Sequence, residues 1–406
     1  MTMVILSTLL TMVVAAAAAP STLFVSHYDG HIYTLTLSSN NSLTQTGALT
    51  ACGSMPSWLT YSSATNTLYC VDESGTTGSS NGTLSAFTPE NDGLKQLVKT
   101  NTLPGGVASV VYTADAGDFL AIAHYEGSAV SVFPLPLTST STASQSFEYT
   151  LTNPPTDPSR QDAPHPHEVF LDPTGAFILA PDLGMDVIHI YAIDKASGRL
   201  TECDQFAVKG GNGPRHGAWW TSNSTISGRG RGRGHGSGSG SKGDTVLYIA
   251  NELANTVSIY TATYSDTCLA LADAGEVTPY PGPVPSSGNI AEVRVVQGRD
   301  VYVSVRNDQA FAPADSMAFL QIPNGEDGTG VQYVNLTSSY GKTPRTFVVS
   351  KDGGLVAIGD QASAEVAVVR RDAATGELGE LIAKVRVGQQ GTPGQSDGLS
   401  SVVWAE

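Results

Sequence analysis

The sequence is short of charge, and of positive charge above all. Asp, Glu, Lys and Arg make up 14% of it, and 21 Lys and Arg against 37 Asp and Glu leave a formal net charge of −16. A surface of that sign repels nucleic acid and anionic membranes, so neither is expected as a partner, and any anionic ligand has to be held by local arginines. Cysteine is scarce too. Cys52, Cys70, Cys203 and Cys268 lack any CxxC or CxxCH spacing, which leaves metal binding and haem attachment without support. Disulfides are the simpler reading. Three pairings are possible, and Cys52 with Cys70 is preferred because both flank what reads as one strand-turn-strand unit. There is no Gly-rich phosphate loop, no nucleophile elbow and no compact carboxylate cluster for calcium, so neither cofactor nor metal is expected.

Long apolar runs are missing beyond the first residues. The run from Val4 to Val14 is followed by five alanines, Ala15 to Ala19, that offer small-residue cleavage sites, and residues 1–19 read as a signal peptide even though no Lys or Arg precedes the run. The run is short for a permanent span, so no stable membrane span is expected. Sequons at Asn40, Asn81, Asn223 and Asn335 agree with a secretory route. The expected location is extracellular, secreted or associated with the cell wall.

What the chain has is repetition. Its 406 residues are too many for one ordinary core unless a small unit repeats, and 43 Gly with abundant Thr, Ser and Val suit short strands and tight turns. The clearest unit starts at His167 and reads HEVFLDPTGAFILAPDLGMDVIHIYAIDKASGRL; it returns from Arg345 as RTFVVSKDGGLVAIGDQASAEVAVVRRDAATGEL. Weaker copies fall at Leu23 to Leu49, Trp58 to Leu97, Ser109 to Leu135, His216 to Tyr260 and Ile290 to Ile322, which makes seven. The fold expected for residues 20–406 is therefore all-β, a single seven-bladed β-propeller. The alternating stretch Ser400 to Trp404 would complete the blade begun by Leu23 to Ser26, so that pairing of N- and C-terminal strands closes the ring and removes exposed sheet edges. A linear solenoid, the competing architecture, would need distinct polar caps. Residues 227–243, SGRGRGRGHGSGSGSKG, interrupt one unit and read as a flexible insertion with His235 as loop filler.

In a propeller the chemistry gathers on loops at one end of the channel. His167 and Arg215 precede the first strands of neighbouring units, whereas Glu252 and Arg306 follow second strands; alternating strand direction brings both kinds of position to the same end. Each has a duller explanation. Glu252 and Arg306 could form an inter-blade ion pair, Arg215 could cap carbonyls, and His167 could stabilise a turn. His165, His216 and Arg345 read as supporting residues, and Asp182, Asp186, Asp352 and Asp372 as turn formers.

The segments PHPHEVFLDPTG, PDLGMDVIHIY, GPRH, NELANTV and PRTFVVSKDG followed by VVRRDAATGEL resemble the lactonase propellers, a family that includes bacterial 6-phosphogluconolactonases and fungal carboxy-cis,cis-muconate lactonising enzymes, the carboxymuconate cyclases. The likeness runs from about His165 to Leu378. It implies that the residues acting on substrate are His167, Arg215, Glu252 and Arg306. Two departures stand out: the Arg-Gly insertion replaces a short turn, and Glu168 stands where a small residue is usual. An acidic side chain there would disfavour a phosphate ester unless it points into the blade.

The resemblance implies cofactor-independent acid/base chemistry on a small-molecule lactone or its open carboxylic acid. Arg215 and Arg306 would clamp a carboxylate or oxyanion bidentately, Glu252 would donate or accept the proton, and His167 would orient the substrate or share the transfer. The alternative is a non-catalytic secreted or cell-wall-associated propeller used for binding. Retention of all four polar positions favours the enzyme.

Overall fold

The computed structural model describes residues 21–78, 81–90, 93–222, 245–323 and 327–406. The expected signal peptide, the insertion at 227–243 and the sequon at Asn223 lie outside these residues.

Seven antiparallel sheets form a ring, with no α-helix among the described residues. Blade 2 comprises Pro56–Ser62, Thr67–Asp72, Gly82–Glu90 and Gly93–Thr102, and blade 3 Gly106–Ala114, Gly117–His124, Ala129–Pro134 and Gln145–Glu148. Blade 4 comprises Phe170–Leu171, Phe177–Asp182, Val187–Ile193 and Leu200–Glu202, with Phe206–Ala207 added to its third strand. Blade 5 comprises Pro214–Thr221, Thr245–Asn251, Thr256–Tyr264 and Leu269–Val277. Blade 6 comprises Asn289–Val296, Asp300–Arg306, Ser316–Gln321 and Gln332–Ser338, and blade 7 Pro344–Val349, Leu355–Asp360, Glu365–Arg371 and Leu378–Arg386. Each of these blades starts at the channel and works outward.

Blade 1 is composite, as the alternation of Ser400 to Trp404 suggests. The C-terminal strand Leu399–Trp404 is its innermost member and pairs with Ser21–His27, matching Leu23 with Trp404 and Val25 with Val402; His31–Leu37 and Leu43–Thr50 complete the sheet. Leu399, Val402 and Trp404 are buried, so closure adds apolar contact as well as backbone hydrogen bonds.

The core is divided among the seven seams between blades. Trp220, Tyr248 and Val257 of blade 5, for example, pack on Val301, Val303 and Leu320 of blade 6. A second strand is covered on both faces by its neighbours, and Phe177–Asp182, Thr245–Asn251 and Asp300–Arg306 are buried along their whole length. Their sequences are accordingly rich in apolar residues, while the outer strand Leu269–Val277 is mostly open to solvent.

Turns repeat as the strands do. Asp172 accepts from the backbone N–H groups of Thr174, Ala176 and Phe177, and Gly175 takes φ +69°, a conformation that favours glycine. Asp352 and Asp372 likewise hold their own turns. Asp182 and Asp186 reach further than a turn: Asp182 accepts from His165 N, and Asp186 from Gly211 N and Gly213 N, fixing the chain as it enters blades 4 and 5.

Two disulfides are present. Cys52–Cys70 joins the entry to blade 2 to that blade's second strand, and Cys203–Cys268 ties blade 4 to the outer hairpin of blade 5. No helix among the described residues is long and apolar enough to cross a membrane.

Candidate active site

Two positions, repeated around the ring, build one mouth of the channel. The first is the residue after each second strand. Tyr28, Glu73, Tyr125, Leu183, Glu252 and Gln361 all donate their backbone N–H to a carbonyl of the chain entering the innermost strand, at Gly398, Met55, Gly105, His165, Gly213 and Thr343 respectively. The second is a bulge at the start of the innermost strand. Register shifts at Pro56/Trp58, Gly106/Ala108, Pro214/His216 and Pro344/Thr346 leave Ser57, Val107, Arg215 and Arg345 as the extra residue. Bulges re-aim a side chain, and of these four Val107 and Arg345 line the mouth. His167 follows Pro166 in the same way, with its N–H bonded to Pro181 O at 2.9 Å.

Between these rings lies a chamber of about 360 Å³, walled among others by Glu73, Tyr125, Arg160, His167, Glu252, Arg306 and Arg345. The four residues singled out from the sequence therefore converge, but not as equals. His167, Glu252 and Arg306 line the chamber, whereas Arg215, 1% exposed, sits behind Glu252.

Glu252 is gripped from three sides. Its Oε2 is 2.9 Å from both Arg215 Nε and Arg306 Nη2, and Oε1 accepts from Arg160 Nη2 at 2.6 Å. Burial alone would raise this carboxyl, but the charges of Arg306, Arg215 and Arg160 outweigh it and hold it well below the usual carboxylate range. A carboxylate held by three guanidiniums favours its ionised form, which weighs against the expected proton exchange by Glu252. The inter-blade ion pair of Glu252 and Arg306 is present as well, across blades 5 and 6.

Arg215 is held behind Glu252. Burial and then the Arg306 charge weigh against its own charge, which Glu252 supports, and its Nη1 donates to Ala291 O at 2.8 Å. It caps a carbonyl and braces Glu252, and it does not line the chamber. Arg306 adds a bond to Ile290 O at 3.3 Å.

His167 differs in kind. Burial, reinforced by Arg215, drives its pKa well below the ordinary value, so the imidazole is neutral, and its buried Nδ1 has no hydrogen-bond partner among the described residues. Its ring meets the edges of Tyr125 and His216 at centroid distances of 5.5 and 5.4 Å. His165 supports from behind, stacked on Tyr125 at 3.9 Å. His216 lies beneath His167 beside Glu168, and Glu168 accepts from Gly217 N at 2.7 Å and faces Arg294 at 3.6 Å. Glu168 thus points away from the chamber, into a second cavity of about 660 Å³ at the other end of the channel. Burial pushes its carboxyl up to about 7.

Among the charged residues of the chamber, Arg160 and Glu73 escaped the sequence reading and Arg345 was given only a supporting part. Arg160 comes from the long connection between blades 3 and 4, which has no counterpart in other blades. Glu73 and Arg345 had a signal: Glu73 follows Asp72 as Glu252 follows Asn251, and Arg345 follows Pro344 as Arg215 follows Pro214. Arg345, expected to be a supporting residue, is on the chamber wall. Among the described residues no three His, Cys, Asp or Glu side chains converge as metal ligands would.

Comparisons with known proteins agree with this architecture. The family model described as "Lactonase, 7-bladed beta-propeller" matches residues 22–392. The "Probable 6-phosphogluconolactonase" of Arthroderma benhamiae is 28% identical over 68% of this chain, and the aligned stretch spans 65% of that protein, just under two thirds. The 6-phosphogluconolactonase of Bacillus subtilis is 24% identical over 82% of this chain and 84% of its own length. Among solved structures, the periplasmic gluconolactonase of Pseudomonas aeruginosa superposes with a TM-score of 0.72 at 21% identity, covering 95% of this chain and 99% of that one, a likeness of fold.

Proposed function

The chain belongs to the lactonase family of seven-bladed β-propellers, and from that membership we propose that it is a secreted, cofactor-independent lactonase that opens an uncharged, hydroxyl-rich lactone. The observation that carries the reading is His167: a neutral imidazole with an unpartnered nitrogen, on the wall of a polar chamber whose carboxylate Glu252 is already neutralised by arginines. His167 accepts a proton from water as the water oxygen attacks the lactone carbonyl. The resulting imidazolium, strongly acidic in that buried site, returns the proton to the ring oxygen as the C–O bond breaks. Lactone and water become hydroxy acid with nothing left over. Glu252 holds Arg306 and Arg160 in place.

Charge balance selects the substrate class. Three arginines on the chamber wall, Arg160, Arg306 and Arg345, face three glutamates, Glu73, Glu126 and Glu252, which leaves little surplus for a phosphate dianion or a polycarboxylate. Two disulfides support an oxidising compartment, where a phosphorylated sugar would be scarce. Asn40 and Asn81 are exposed and suited to carry glycans, whereas Asn335 is half-buried in an outer strand with its Oδ1 shielded.

The test is a panel of aldonolactones, their 6-phospho forms, aliphatic lactones and carboxymuconate on the purified secreted protein. Aldonolactones should be preferred, and His167→Asn should lower kcat by about 10²- to 10⁴-fold. Because the depressed pKa keeps His167 unprotonated in mild acid, turnover should persist below pH 6, where an ordinary histidine base fades. Preference for the phosphorylated lactone would overturn the substrate class, and absence of turnover on every lactone would overturn the activity.

A further inference from the structure

Four arginines surround the chamber, and three have their guanidiniums tied to Glu252. Arg215 holds Ala291 O and Glu252, Arg306 holds Glu252 and Ile290 O, and Arg160 holds Glu252. Arg345 is the exception. It lines the chamber with its side chain 15% exposed, yet donates no hydrogen bond to any described residue, and its one charge contact is Nη2 to Glu73 Oε2 at 3.7 Å. A guanidinium carries five N–H donors in a rigid fork, and a partly exposed one that borders a chamber with those donors unclaimed by protein groups is available to an acceptor there.

The surroundings hold Arg345 in place without occupying those donors. Its Cζ sits 5.6 Å from the centre of the Tyr28 ring. Glu73, the charge opposite, takes its short hydrogen bonds elsewhere, from the Tyr28 hydroxyl and from Ser57 Oγ at 2.6 Å. Burial works against the Arg345 charge, but Tyr28, Glu73 and Glu252 outweigh it, so the fork stays protonated.

We propose that Arg345 is a catalytic residue that receives the lactone carbonyl oxygen, the oxyanion formed when water adds, and finally the product carboxylate. The assignment rests on the lactonase reading and supplies what that reading lacks, a free donor pair for the oxygen on which charge develops. As the carbonyl π pair moves onto oxygen it meets the Arg345 fork; when the ring C–O bond breaks, the same oxygen becomes half of the carboxylate, which the fork matches bidentately. The wall that binds the reacting oxygen is then formed by blades 1, 2 and 7, opposite the Glu252 cluster of blade 5.

The experiment uses the full secreted chain with glucono-1,5-lactone as substrate and gluconate as product probe, comparing wild type, Arg345→Gln and Arg345→Lys, with circular dichroism as the check on folding. Arg345→Gln should lower kcat by about 10²- to 10³-fold and abolish inhibition by gluconate. Arg345→Lys, which keeps the charge that faces Glu73, should fold like wild type and still lose most of both. If wild type opens the lactone and Arg345→Lys retains its kcat and its gluconate inhibition, the assignment is overturned. If wild type opens no lactone, the lactonase reading falls and Arg345 is judged by gluconate binding in calorimetry. Binding that Arg345→Gln abolishes upholds the oxyanion pocket; unchanged binding, or none in wild type, overturns it.

Discussion

Replacing Glu252 by Gln separates a scaffold carboxylate from a proton-transferring one. The substitution keeps shape and removes charge. Arg215 and Arg306, with side chains 2% and 9% exposed, would then face each other without their shared counter-charge. Removing one partner of a buried pair costs about 3–5 kcal/mol, because the other charge is left uncompensated. With an unfolding entropy of about 2.1 cal/mol/K per residue, that corresponds to a fall in melting temperature of about 4–6 °C for a chain of this length. Arg160, 40% exposed, is screened by solvent, so Arg160→Met should cost less than about 1 kcal/mol. The pH dependence has a definite sign. The folded pKa of Glu252 is depressed, so its contribution is complete above the ordinary carboxylate pKa and is lost as pH falls through the folded value. The gap between wild type and Glu252→Gln should thus be constant above about pH 5 and close in stronger acid. Thermal melts from pH 2 to 8 measure it. Equal melting temperatures at pH 7 combined with lost turnover would refute the scaffold role and restore Glu252 as the proton carrier.

Other expectations follow from the same buried groups and from the disulfides. Glu168, raised from 4.5 to about 7, stabilises the fold fully below its unfolded pKa and loses that contribution as pH rises through 7. Glu168→Gln should therefore gain up to about 3 kcal/mol on wild type between pH 5 and pH 8, and parallel pH curves in denaturant melts would show Glu168 to be ionised throughout. Mild thiol should open the partly exposed Cys203–Cys268 before the fully buried Cys52–Cys70, which free-thiol labelling by mass spectrometry would follow. With a separation of 65 residues against 18, replacing both cysteines of the first pair by Ser should cost about 4 kcal/mol and of the second about 3; the reverse order would point to residual structure in the unfolded chain.

The fold was legible because each blade carries its own signature. The Asp172 and Asp352 turns, the apolar second strands and the alternating C-terminal stretch are local features that sequence displays directly. The site was legible in part for the same reason: strand-end positions recur, and His167, Glu252 and Arg306 occupy them. What stayed hidden depends on neighbours distant in the chain. Nothing local separates Pro214-Arg215 from Pro344-Arg345; the first lies behind a carboxylate supplied by its own blade, the second lies open because Glu73, from another blade, is satisfied by Tyr28 and Ser57. Arg160 occupies no repeated position and could be placed only in three dimensions.

The composite first blade has a consequence for biosynthesis. Its innermost strand, Leu399–Trp404, is made only after the other six blades, whereas Ser21–His27 is made before them. At translation rates of about 5–20 residues per second, Ser21–His27 waits tens of seconds for its partner, its inward edge open throughout. During that wait the half-made ring is the species most exposed to mispairing, and it is the stage at which a holding chaperone would matter. A chain cut short before Leu399 leaves that edge open. Closure of the ring thus reports that synthesis has passed the seventh blade.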